Sequence, residues 1–482
     1  MDPVQPDAHS GSLGLTDAWQ AYYRKAAFEN PLHPGPRDFF RQDLRETLRR
    51  WIPEDASVLD VGCGMGGLLA SLPNRERVGI VSLPEVAAEA RRRHPELDIR
   101  ASDDEIPAER RFDAVVCDRI CHGVADIRSL LVALRSRMSE RGRLYLIAYN
   151  HYWELPTRVA ELAGFKLPAP TSNWLSHSDF ENLFHIVGLE TVRFDDRMLL
   201  PADVPGLADL MNRYLGKLPG WRRFSMYRVY ALRRREPLAV PGNVSVSVIV
   251  PTRNEAGNVQ AAIDRTPVLG CKTELIFVEG GSTDGTWETI GEAIKAYKGP
   301  LELSAYKQQG KGKGDAVRLG FSKARGDILM ILDADLTVPP EELPVFYDVI
   351  AGGLGDYVQG TRLVYPMDPG AMRFFNKLGN IAFSQLFTYL LQQPIKDTLC
   401  GTKVLWRRDY ERIAAARHLF GDFDPFGDFD LIFGAARLNL KIVEVPVRYR
   451  ERVYGETNIS RWKHGWLLLK MSGVAARKLR YV

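Results

Sequence analysis

Nowhere in the 482 residues is there a run of about 18 apolar side chains, so no membrane-spanning helix is expected. The opening stretch, MDPVQPDAHSGSLG, has acids and prolines where a secretory leader needs basic and then apolar residues. Cysteine is sparse and scattered: Cys63, Cys117, Cys121, Cys271 and Cys400 are odd in number and form no C-x-x-C. That excludes a disulfide framework and points to a reduced, cytoplasmic protein, with peripheral contact at the inner membrane face left open. A net charge of +4 is too small to argue for nucleic acid, but it suits anionic substrates or an anionic membrane surface. Internal repeats and long low-complexity tracts are also missing.

The length is enough for two or three domains. Residues 1–36 are punctuated by proline and glycine and are expected to be partly ordered. Residues 37–232 form a first α/β unit, opening with helical spacing from Asp38 to Trp51. The stretch 233–243, RRREPLAVPGN, joins a charge run to two prolines and a glycine, as linkers do. A second α/β unit occupies 244–482.

In that second unit Ile328–Thr337, ILMILDADLT, is a buried-strand run ending in two carboxylates, Asp333 and Asp335. Side chains at i and i+2 of an extended segment point the same way, so both can face one cation. Hard oxygen ligands of this kind suit Mg²⁺ or Mn²⁺, which fill their coordination with water and a substrate diphosphate. Two more strands run into polar loops, VSVIVPTRNE at 246–255 and ELIFVEGGSTDGT at 274–286. The segment GKGKGDAVRLG at 310–320 is a glycine-and-lysine loop entering a helix, a shape that receives phosphate.

Strand–PTRNE, strand–EGGSTDGT, GKGKGDA and DAD, in this order, resemble the inverting family 2 glycosyltransferases, and more narrowly the polyprenyl-phosphate sugar synthases of the dolichyl-phosphate mannose synthase group. The resemblance runs from about Val244 to about Lys470 and implies a nucleotide-sugar-binding sheet of the GT-A type with C-terminal helices. It places a nucleotide diphosphate sugar on Pro251, Thr252, Asn254, Glu255, Glu279 and Ser282, with Lys311 and Lys313 on its phosphates beside Asp333. Asp397 and Gly401, in DTLCGTK, fall at the acceptor-side motif. Asp428 or Asp430, in FGDFDLI, stands where the family carries its base, and Arg452, in RYRERVYGETNIS, belongs to a loop closing over the diphosphate. Three positions depart from the pattern: Glu279-Gly280 replaces a paired acid, Thr337 a Gln, and Asn458 a Lys.

The first unit carries VLDVGCGMGG at 58–67, a strand followed by Gly62, Gly64, Gly66 and Gly67. The spacing satisfies a dinucleotide fingerprint. Asp60 ahead of the glycines resembles motif I of the class I methyltransferases and implies a Rossmann-like sheet and S-adenosylmethionine, with Asp103 or Asp104 on the adenine amino group. One departure concerns the cofactor: Val81 stands where the family has the acid for the ribose hydroxyls, with Glu85 one turn further on. Losing that charged hydrogen-bond pair, worth about 1.5–3 kcal/mol, would lower cofactor affinity by ~10–100-fold. Methylation and a scaffold or binding role therefore stand side by side for this half.

The expected reaction moves a sugar from a nucleotide diphosphate to a polyprenyl-phosphate or glycan acceptor; a small natural-product hydroxyl is the alternative. A lipid phosphate needs no base, whereas a hydroxyl needs a carboxylate such as Asp430 or Asp428. His122, Cys117 and Cys121 read as structural groups rather than catalysts. Trp462, Trp466 and Leu467–Leu469, between Arg461 and Lys470, read equally as an interfacial helix or as packing.

Overall fold

The computed structural model describes residues 15–28, 36–164, 167–170, 172–202, 204–235, 244–362, 374–417, 428–450, 454, 469–470 and 472–480. It divides into two compact units, 1–236 and 237–480. Both are α/β, as the motifs imply. Most of residues 1–36, most of the 233–243 stretch, Arg452, Asn458, Trp462, Trp466, Leu467 and Leu468 lie outside the described residues, as does the side chain of Asp428.

The first unit is built on strands β1 Val58–Val61, β2 Arg77–Ile80, β3 Asp98–Arg100, β4 Phe112–Asp118, β5 Met138–Tyr149, β6 Leu189–Arg197 and β7 Tyr227–Arg234. Their order is β3-β2-β1-β4-β5-β7-β6. The first five are parallel, and β7 runs antiparallel between β5 and β6. All four residues of β1 are buried, as a strand covered by helices on both faces requires. Chain order reverses between β1 and β4, so the crevice at their carboxyl ends is the topological place for a ligand.

The second sheet comprises β8 Ser245–Thr252, β9 Lys272–Glu279, β10 Glu302–Lys307, β11 Ile328–Ile331, β12 Tyr357–Thr361, β13 Lys403–Trp406 and β14 Ile442–Pro446, in the order β10-β9-β8-β11-β13-β12-β14. β10, β9, β8 and β11 are parallel, β13 is antiparallel to both β11 and β12, and β14 is parallel to β12. The switch point falls between β8 and β11, whose carboxyl ends carry PTRNE and DAD. Ile249, Leu329 and Ile331 pack with Phe387, Leu391 and Ile432 on one face. Val248, Val250 and Met330 pack with Phe346 and Ile350 on the other. Among the described residues no helix is long and apolar enough to cross a membrane.

A buried ion pair ties the far side of this sheet together. Asp397 is fully buried and receives two hydrogen bonds from the Arg362 guanidinium, at 2.7 and 2.9 Å. Asn380 Nδ2 donates to it at 2.7 Å, and the Leu399 and Arg362 amides at 3.0 Å each. Burial opposes the charge, but Arg362 and Asn380 outweigh it and bring the carboxyl down to about 2. Asp397 thus fixes the loop before β13 from within. Its contribution, about 2 kcal/mol, is present above the ordinary carboxylate pKa near 4 and fades as pH falls toward about 2. Asp397→Ala leaves Arg362 buried without its partner and should cost about 3–5 kcal/mol in a urea titration at neutral pH. A loss below about 1 kcal/mol would refute this structural role.

Candidate functional site

At the end of β11 the Leu332 amide makes a last ladder bond to Ile249, and the chain turns. The Leu336 amide closes back on the Asp333 carbonyl at 3.0 Å, with Leu336 itself at φ 52°. A bulky residue in the left-handed region is strained, and such strain is held where a side chain must be aimed. Asp335 is oriented by Thr337, which donates from its amide at 3.1 Å and its hydroxyl at 2.8 Å. The Thr337 carbonyl in turn accepts the Arg450 amide. The residue that departs from the family pattern therefore steers one carboxylate.

Asp333 faces the glycine-and-lysine loop. Lys313, in helix Gly312–Lys323, places Nζ 2.5 Å from its Oδ1. Burial alone would push the Asp333 carboxyl up; Lys313, helped by Lys403 and Arg362, holds it below the usual range. Lys403 is buried and donates to the Cys400 carbonyl at 2.6 Å. Gly401 fits against this pair because it has no side chain: a Cβ there would lie 1.9 Å from Asp333 Oδ2 and 2.5 Å from Lys313 Nζ. Lys311, the residue before that helix, is exposed.

The β8 and β9 loops interlock beside these groups. Thr252 ends β8, and its carbonyl accepts the Gly280 amide at 2.9 Å. Asn254 takes the left-handed conformation at φ 54°, which Asn tolerates; its amide donates to Ser282 Oγ and its side-chain oxygen accepts the Thr283 amide. Glu255 is buried, accepts from Asn258 Nδ2 at 2.7 Å, and donates its amide to Thr286 Oγ1. Glu279, last in β9, accepts the Ser282 amide. Pro251 is half-buried in β8. Tyr454 bridges the two loops, its hydroxyl 3.3 Å from Asp284 and its ring against Gly257, where a Cβ would come within 2.8 Å.

Asp430, in helix Asp428–Arg437, accepts from Arg417 Nε at 2.9 Å. Asp397, described above, is enclosed in protein and has no exposed surface to offer a substrate. Sequence reasoning passed over Arg362, Lys403 and Tyr454 as site residues. The lysine and arginine stand far from DAD in sequence, and only the antiparallel insertion of β13 between β11 and β12 brings them near.

In the first unit, Gly62, Gly64 and Gly66 all have positive φ, at 81°, 52° and 78°. A Cβ at Gly62 would collide with Ile120, whereas nothing lies within 4 Å of one at Gly64, so backbone is laid bare to a ligand there. Asp60 is buried and neither of its oxygens has a hydrogen-bond partner. Burial, with the Asp118 charge adding, raises its carboxyl to about 8. Asp118 itself is covered by Arg119, which makes two 2.7 Å bonds to it and a third, 2.9 Å, to Tyr149. Asp103 is gripped by Arg137 at 2.8 and 3.0 Å, leaving Asp104 and Glu105 as the exposed acids of that turn. Val81 is buried, and Glu85 is paired with Arg24 of helix Asp17–Phe28. His122 Nδ1 bonds the Asn173 carbonyl at 2.7 Å and Nε2 accepts the Tyr149 amide at 2.8 Å, which assigns a neutral ring with its proton on Nδ1. Cys117 and Cys121 are buried, and burial raises both thiols well above their ordinary value.

Residues 247–413 match the model of glycosyl transferase family 2, and residues 37–193 match a methyltransferase domain. The C-terminal half thus contains a family 2 glycosyltransferase domain, and the N-terminal half a methyltransferase domain. A dolichol-phosphate mannosyltransferase of Pyrococcus furiosus is 28% identical over 256 residues, covering 49% of this chain and 67% of that protein. The low-salt glycan biosynthesis hexosyltransferase Agl6 of Haloferax volcanii is 29% identical over 46% of this chain, which spans 51% of that relative. Among solved structures, glucosyl-3-phosphoglycerate synthase of Mycobacterium tuberculosis aligns at 17% identity and TM-score 0.35 over 49% of this chain and 80% of its own. A methyltransferase of Thermotoga maritima aligns at 13% identity and TM-score 0.35, over 45% and 99% respectively.

Two substitutions probe these geometries. Gly401→Ala forces Asp333 away from its present position; it should cost about 1–3 kcal/mol of stability but more than ~100-fold in turnover. Equal, small losses in both would contradict the close approach. Asp60 behaves oppositely to Asp397: its folded pKa lies above its unfolded value, so stability falls as pH rises from about 4 to about 8. Asp60→Asn should flatten that slope and stabilise the ligand-free protein at pH 7 by on the order of 2–4 kcal/mol.

Proposed function

We propose that the glycosyltransferase domain is a metal-dependent inverting enzyme that moves a sugar from a nucleotide diphosphate to a polyprenyl-phosphate or glycan acceptor. The observation that carries this reading is the Asp333–Asp335 pair at the end of β11, aimed by a strained turn and set against Lys313. Two hard carboxylates at one strand end are a donor set suited to Mg²⁺ or Mn²⁺. Asp333 and Asp335 would hold that cation, which when bound neutralises charge on the leaving diphosphate. Lys313 adds a fixed positive charge at the same place, and the interlocked 252–255 and 279–284 loops would receive the nucleotide. An acceptor oxygen attacks the anomeric carbon from the face opposite the diphosphate, the carbon–oxygen bond to the diphosphate breaks, and the nucleotide diphosphate departs. The Arg417 pairing of Asp430 favours an acceptor that arrives already anionic, such as a lipid phosphate, over a hydroxyl that must lose a proton to a free carboxylate.

A second activity is supported by the N-terminal half. The unpartnered Asp60 and the open backbone at Gly64 fit S-adenosylmethionine, whose cationic ammonium would supply what Asp60 lacks. Asp60, the Gly62–Gly66 turn and Asp104 would hold it. Bound, it supplies a transferable methyl group. Both His122 nitrogens are committed to structure, so this chain would rely on positioning rather than on that imidazole as a base.

The direct test incubates the whole chain with Mn²⁺ and UDP-, GDP- or dTDP-sugars, with and without polyprenyl phosphate, and follows nucleotide diphosphate release. Asp335→Ala should reduce release by more than ~100-fold. Folded protein that releases nothing from any donor, with lipid present, sinks the reading. Calorimetry with S-adenosylmethionine tests the other half, where no binding at millimolar cofactor would leave it a scaffold.

A further inference from the structure

A helix on an α/β domain normally turns its apolar stripe inward. Helix Glu154–Leu162 does the reverse: none of its nine residues is buried. Leu155, Val159 and Leu162, at i, i+4 and i+7, form one stripe that is 71%, 56% and 90% exposed. A second segment, Leu207–Phe224, is equally inverted, with Tyr214, Trp221 and Phe224 about half exposed. Its inner side is held by polar groups. Lys217 is buried and donates to Asp195 at 2.6 Å, and Asn212 exchanges two hydrogen bonds with the Leu200 backbone at 2.7 and 2.9 Å. Apolar burial is therefore not what attaches this segment to the domain.

The two segments meet. Trp153 Nε1 donates to the Phe224 carbonyl at 2.7 Å, and the Tyr152 and Phe224 rings are 6.2 Å apart. One segment leaves the sheet after Tyr149 of β5, and the other enters it at Tyr227 of β7, the residue paired with Tyr149. That is the same carboxyl edge that carries Gly62–Gly66. Between Leu210 and Phe224 the sequence LMNRYLGKLPGWRRF has no acid, and its exposed residues include Arg213, Arg222 and Arg223; the acids of the two segments are Asp209 at the start of this one and Glu154 and Glu161 in the helix, where Glu154 pairs with Arg158. Exposed aromatics and leucines beside clustered arginines are the composition of an interfacial membrane surface, where rings sit at headgroup depth and guanidinium groups meet lipid phosphates.

We propose that this face of the methyltransferase domain docks on an anionic bilayer, setting the Gly62–Gly66 edge beside the membrane. It extends the lipid-acceptor reading of the other half, and because vesicle binding and nucleotide release are separate measurements, either can fail without the other.

The test is cosedimentation of the full chain with phosphatidylcholine vesicles, with and without phosphatidylglycerol. Binding should require the anionic lipid, weaken with added salt, and fall by more than ~10-fold in Leu155→Glu/Leu162→Glu and in Trp221→Ser/Phe224→Ser. Circular dichroism and undiminished nucleotide release would show those variants folded. Three outcomes overturn the proposal. Folded wild-type protein does not bind. Both variants bind like wild type while Trp466→Glu does not, which assigns binding to the C-terminal segment. The variants abolish a concentration-dependent dimer with no vesicle binding in wild type, which makes the face a contact between copies.

Discussion

Strands buried on both faces can carry polar chemistry only where they stop, and that constraint organises both halves of this protein. β1 and β11 are each four residues long and wholly buried, and each sits beside the position where strand order reverses. Everything that points to function lies at or just beyond such an end: Asp60 and the glycine turn in one domain, Asp333 and Asp335 in the other. The helices and remaining strands hold those ends still.

The two domains solve the electrostatics of a strand-end carboxylate in opposite ways. Asp333 has Lys313 against it and the charges of Lys403 and Arg362 nearby, so it stays ionised although partly buried. That negative charge is what the proposed cation would meet. Asp60 has no compensating group, and burial together with Asp118 makes its ionisation costly in the ligand-free chain. A cationic ligand would relieve that cost. In both cases Gly supplies what no other residue could: Gly401 permits contact with Asp333, and Gly64 leaves backbone uncovered.

The departures from family pattern look different once the contacts are known. Thr337 in place of Gln is the residue that orients Asp335, and Glu279 shapes its own turn through the Ser282 amide. Asp397, in the motif that resembles the acceptor side, is enclosed and bound by Arg362 and Asn380, which hold the loop before β13. For Val81 the acid one helical turn on, Glu85, is paired with Arg24.

Short-range pattern was sufficient for the fold class, the order of motifs and the two kinds of domain. Apolar strands, turn glycines and paired acids are local features whose meaning does not depend on distant residues. What only the tertiary structure decided was the charge state and availability of each group. The charges of Lys403 and Arg362, 70 and 29 residues downstream of Asp333, come near it through antiparallel pairing of β13 with β11 and β12. Whether Asp430 faces Arg417, whether His122 has a free nitrogen, and whether Leu162 points inward or out are likewise set by what packs alongside. Coulomb energy, desolvation and burial depend on distances in space, and a linear sequence fixes those distances only after the chain has folded.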